Sequence, residues 1–155
     1  MATSFTNIID DTIAANVIAV LQGEDKFGQI DIKQDDEVEP SGAVFFNLVA
    51  QLDEHIQYVT LGEDRLYTFS LRIYLKTERK TQRRGSLNRL TDWGERVKKV
   101  LKNNRNYSKS GDTIWSNLTI IGVDYNPALD EIEEAIEGYK IVELIFNCWY
   151  QERDS

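Results

Sequence analysis

The chain has 155 residues, 41% of them apolar and 16 aromatic, with 18 basic against 26 acidic side chains for a net charge of −8. That length suits one domain with its own core and argues against two full domains or a disordered chain, while the negative total argues against a general coat for nucleic acid or anionic membranes. A single cysteine, Cys148, and a single histidine, His55, exclude an internal disulfide and a His/Cys zinc site.

Phe5, Ile9, Ile13, Val17, Val20 and Leu21 recur at three- and four-residue spacing, which predicts an amphipathic helix over 4–22 capped by Ser4 and ended by Gly23. The first 30 residues have no basic head and no continuous apolar stretch, so no signal peptide is expected. No run reaches the roughly 18 apolar residues of a membrane span, and the expected setting is a reducing compartment. Residues 24–42 hold seven acids with Gly28, Pro40 and Gly42, and predict a loop with only a short strand at about 29–33. Asp31, Asp35, Asp36 and Glu37 lack the glycine and the spacing of a calcium loop and read as a solvated acidic segment.

Ala43 to Ala50 is apolar on both faces and predicts a covered strand; His55 to Leu61 is a weaker second strand, left by a turn at Gly62-Glu63-Asp64. Over 65–77, Tyr67, Phe69, Leu71, Ile73 and Leu75 alternate with Thr68, Ser70, Arg72 and Tyr74, a strand with one face in the core. Thr77 to Gly85 predicts a long basic loop. Ser86 then caps a helix over 87–102 with Leu87, Leu90, Trp93, Val97, Val100 and Leu101 on one side. A polar hinge, Asn103 to Asp112, precedes a strand over 113–125, and the acidic stretch 128–137 fits a loop or a short helix. Gly138 to Gln151 predicts a terminal strand with Val142, Leu144, Phe146, Cys148 and Tyr150 on one face and Ile141, Ile145 and Trp149 on the other.

The order is α+β: a mixed or mainly antiparallel sheet packed by two amphipathic helices, in one domain spanning 1–155. Two helices cover one sheet face. Ile141, Ile145 and Trp149 on the other are therefore candidate subunit-interface residues.

Catalytic arrangements find little support. Cys148 sits mid-strand far in sequence from His55, glycine-rich phosphate loops are absent, and Glu143, the best-placed carboxylate, reads more simply as an edge or interface residue. Charge order is more informative. Residues 76–109 carry twelve basic and three acidic side chains, net +9, which leaves −17 on the other 121. Three readings fit: a solvated face that keeps the chain soluble, phosphate contact by the basic 76–109 segment as in a nucleic-acid-binding protein, or a basic flank meeting the acidic flank of the next copy, a heterologous contact that closes into a ring when the rotation permits. Helix-turn-helix reading lacks a second helix at short range. Arg79, Lys80, Arg83 and Arg84 are the candidate partner or DNA contacts.

The initial helix, the strand Leu66-Tyr67-Thr68-Phe69-Ser70-Leu71-Arg72-Ile73-Tyr74, the helix from Leu87 to Leu101 and the closing strand from Tyr139 to Tyr150 together resemble the tail terminator (tail-completion) proteins of long-tailed bacteriophages. The resemblance covers roughly residues 4–151 and rests on order and pattern. It implies a structural virion protein, assembled in the host cytoplasm. It also implies a ring, typically a hexamer, that caps the tail tube and joins tail to neck connectors. Its implied partners are tube proteins, sheath proteins if the tail contracts, and DNA passing through the lumen; it implies no cofactor, metal or enzymatic step. The acidic 24–42 stretch and the basic loop depart from shorter members and fit equally another neck protein, a head-completion or stopper subunit.

Overall fold

The computed structural model describes residues 2–34, 42–76, 83–125, 127 and 138–153. Its elements are a π-helical stretch Ile8–Ala14 continuing into α1 (Ala15–Gln22), then β1 (Asp31–Lys33), β2 (Val44–Val59), β3 (Gly62–Lys76), α2 (Arg83–Asn103), β4 (Tyr107–Lys109), β5 (Asp112–Asp124) and β6 (Tyr139–Arg153). The strands form one six-stranded sheet in the order β1-β2-β3-β6-β5-β4, with β1 parallel to β2 and every other pair antiparallel. Among the described residues the chain is thus mixed α+β with two helical elements.

The first helical segment begins later than its apolar spacing suggests. Asn7, not Ser4, supplies the cap by accepting the Asp10 amide at 3.0 Å, and Phe5 stays exposed ahead of it. Ile13, Val17 and Leu21 then bury fully. They share a core with Leu90, Val97 and Leu101 of α2 and with the inward residues of β2, β3 and β6. Both helices therefore cover the same sheet face. Phe27, on the segment between α1 and β1, closes that layer by packing at 5.5 Å from both Phe46 and Trp93. Burying side chains of this size stabilises by about 1.5–3 kcal/mol each before conformational entropy is charged against it.

Further along the chain, several elements differ from the sequence-based expectation. The weak strand at 55–61 is the outer half of a continuous β2, which crosses bulges at 50/52 and 55/57. The turn lies at Thr60-Leu61, with Leu61 at φ 66°, and Gly62-Glu63-Asp64 already belongs to β3. α2 begins at Arg83, not after Ser86, so the last part of the expected basic loop is helical and only Thr77–Gln82 remains between β3 and α2, outside the described residues. The helix starts at Arg83 although Arg83, Arg84 and Gly85 each weaken a helix start, because the apolar stripe beyond anchors it by tertiary packing. The hinge at 103–112 contains β4, which pairs with β5 through a turn at Ser110 (φ 55°) and Gly111 (φ 85°). Two successive positive φ values match the twist of a tight hairpin, and glycine takes the second without strain. The 128–137 reading falls outside the described residues.

Candidate functional site

Three surfaces carry chemistry: the outer side of α2, the sheet face away from the helices, and an arm where β2 and β3 run past the core. On α2, Asp92 holds Arg96 at 3.1 Å and Glu95 holds Lys98 at 2.6 Å, and the Arg96 guanidinium lies 5.8 Å from the Trp93 ring centre. These contacts are one turn apart along the helix, as its periodicity requires. Lys99 and Lys102 are exposed, and with Arg96 and Lys98 they line a shallow surface depression. Arg79 and Lys80 lie outside the described residues. Arg83 and Arg84 fall in the first turn of α2, which holds no acid. Cations at the positive end of a helix dipole oppose helix stability.

The sheet face opposite the helices has an apolar end and a polar middle. Phe45, Tyr74 and Ile141 are neighbours across three strands and bury one another; the Phe45 and Tyr74 rings stack at 4.6 Å and Tyr139 packs edge-on at 5.4 Å. The Tyr139 hydroxyl donates to the Gly42 carbonyl at 2.7 Å. Ile141 is thus only 4% exposed, inside a cluster of its own chain, whereas Ile145 and Trp149 further along the same face of β6 are half-buried. Between them Glu143 accepts from Arg72 at 3.1 Å and from Ser70 Oγ at 3.2 Å. That carboxylate is held as the partner of an arginine.

The arm comprises the outer half of β2, residues 62–68 of β3 and the last residues of β6. Its β2 strand is exposed, so apolar burial does not fix its register. Polar pairs do. Arg65 donates to Asp53 at 2.5 Å and to Glu63 at 3.0 Å, His55 Nδ1 lies 2.5 Å from the same Glu63 carboxylate, and Gln57 donates to Asp64 at 2.8 Å. The His55 hydrogen bond, then Arg65, hold the Glu63 carboxyl below its ordinary range, and the Asp53 hydrogen bond, ahead of Glu63, raises Arg65. The tip leaves Tyr58 and Leu61 in solvent.

Cys148 is fully buried, and burial pushes its thiol up to about 12, which keeps it protonated and unreactive. His55 is on the arm, engaged with Glu63. Among the described residues no group of three His, Cys, Asp or Glu side chains is placed to hold a metal ion, and no helix is long and apolar enough to cross a membrane. A groove of about 980 Å³ is lined by Phe5, Ile8, Ile114, Trp149, Tyr150 and Arg153, near the Ser116–Trp149 pair of β5 and β6. Sequence reasoning missed this groove, and of the arm it saw only the weaker strand over 55–61 and the turn after it, not its continuity with the core strand.

No family model matches the sequence, and no curated protein matches it. The architecture, a six-stranded mixed sheet with two helical elements on one face, does recur among solved structures. A chain of the virion of a native gene transfer agent particle superposes with a TM-score of 0.61 at 8% identity, covering 95% of this chain and 100% of that one. At that identity the likeness is one of fold.

Proposed function

We propose that this chain is a structural subunit of a phage or phage-like virion and, within that class, a tail terminator: a ring of identical copies that caps the tail tube and joins the tail to the neck. The supporting observation is that its fold matches a virion chain of a gene transfer agent particle from end to end. The terminator role adds the order of elements on which the family resemblance rests.

In this reading the basic segment faces a partner or the DNA that passes through the ring. Arg79, Lys80, Arg83 and Arg84 contribute phosphate or acidic-protein contact, without sequence specificity. Two arginines at the start of α2 cost the helix some stability, so their placement favours a role outside the fold. Ile145 and Trp149 are the contacts toward the neighbouring copy, while Ile141, buried against Phe45 and Tyr74 of its own chain, has little surface left for such a contact.

Light scattering on the purified chain at low and moderate salt tests self-assembly. The expected result is one species at a whole-number multiple, three or more, of 17.9 kDa, weakening as salt screens the contact between the +9 segment and the rest. A monomer at every concentration in both salts contradicts it.

A further inference from the structure

The sheet ends in two open edges. Among the described residues β1 pairs only with Phe45–Asn47, so β2 from Leu48 to Val59 is bonded on its β3 side alone. On the opposite edge β4 reaches only as far as Trp115, and Arg105 and Asn106 take the amides of Leu118 and Asn117, so among the described residues β5 from Thr119 to Val123 is paired on its β6 side alone. Unpaired edges of this length are a liability that proteins cover, blunt or use.

Exposed apolar side chains mark the same two edges. Of the five large hydrophobic residues that stand in solvent among the described residues, Leu52, Tyr58 and Leu61 belong to the β2–β3 hairpin and Ile121 to β5; Phe5 is the exception. We infer that β2 of one copy pairs with β5 of the next, so that the sheet continues across the subunit contact. This deepens the ring reading and rests on it.

Strand direction selects the occupant. β2 opposes β3, β3 opposes β6 and β6 opposes β5, so β2 and β5 of one chain run in opposite directions. A second copy set beside the first with its strands running the same way, as a rotation about an axis along the strands does, presents its β5 antiparallel to β2, the pairing with the better hydrogen-bond geometry. A two-fold contact would bring β2 against β2 and leave the Ile121 edge bare. The head-to-tail contact uses both edges at once, on every copy. The bulges at 50/52 and 55/57 in β2 and at 120/122 in β5 bend the edges, which limits pairing to a short run and supplies curvature for closure, where flat edges would propagate a filament.

Cysteine cross-linking tests the contact. Leu52→Cys and Ile121→Cys are made in separate chains, one carrying a size tag, with Cys148 left in place because it is buried and protonated. Within a chain the two edges stand about three strand spacings apart, roughly 14 Å, too far for a disulfide. Under mild oxidation the mixed sample should give the tagged–untagged linked dimer, and neither variant should link with itself. A chain carrying both changes should give a ladder of linked copies up to the full assembly. A multimer by light scattering without the mixed link overturns edge pairing and leaves the ring reading standing. A Leu52→Cys chain that links to itself overturns it in favour of a two-fold. Absence of any multimer removes both.

Discussion

Replacing Trp115 by alanine is expected to lower the free energy of unfolding by about 3–5 kcal/mol, the range for deleting a fully buried indole and leaving a cavity. Trp115 sits on β5 with no exposed surface, stacks on Tyr107 at 4.7 Å and donates its indole N–H to the Asn104 carbonyl at 2.8 Å. It therefore ties the end of α2 to the β4–β5 hairpin. Loss of the ring removes packing on both and leaves the Asn104 carbonyl without its donor, an added cost of about 1–3 kcal/mol where water cannot replace it. Trp115→Phe keeps most of the volume and loses the hydrogen bond, so its cost should be well below that of alanine. Urea unfolding of the three chains checks this order. An alanine variant within about 1 kcal/mol of the parent would mean that the site collapses freely and that the hairpin is not anchored there.

Gly62→Ala should damage the arm more than the core. A methyl at Gly62 would overlap the Glu152 carbonyl oxygen and stand 3.0 Å from the Arg153 Cα, and both are backbone atoms of the paired strand β6, not the end of a flexible side chain. The two strands must part at that end. Overpacking of this kind costs about 1–3 kcal/mol, and here it falls on a unit held by ion pairs rather than by apolar burial. The expected signature is local opening: amide exchange over Arg65–Tyr67 accelerates by more than tenfold, equivalent to about 1.4 kcal/mol of local stability, while exchange over Leu71–Leu75 changes little. Because the arm carries Tyr58 and Leu61, assembly should weaken as well. Unchanged exchange across 62–68 would contradict this placement of Gly62 against β6.

What was legible in the sequence follows from where apolar burial decides structure. β3 was readable because Tyr67, Phe69, Leu71, Ile73 and Leu75 alternate strictly and all bury. β6 was readable for the same reason. The outer half of β2 was legible only as a weaker, separate strand over 55–61, because from Gln51 to Tyr58 it leaves the core, is mostly exposed on both faces, and is set by Asp53–Arg65, Glu63–His55 and Gln57–Asp64 contacts that have no periodicity. The start of α2 was obscured because Arg83 to Ser86 is polar and contains glycine, features that also suit a loop. β4 was obscured by its length of three residues.

The candidate site was legible only in part. Alternation placed Ile141, Ile145 and Trp149 together on the face away from the helices. It carried no sign that Phe45 and Tyr74 would meet Ile141 across strands brought together only by the sheet order β2-β3-β6. Nor did composition show that the two acids amid the basic helix, Asp92 and Glu95, each hold a neighbouring cation. The open edges depend on strand order and register, which no local pattern records.

The proposed place of this chain is in a virion, at the joint between tail and head. Electron microscopy of purified phage or phage-like particles from cells that make the chain, labelled with an antibody to it, tests that claim directly. The account expects label at a single position, the head–tail junction, in intact particles and at one end of isolated tails. Label along the tail, label over the capsid, or none in any particle would contradict it.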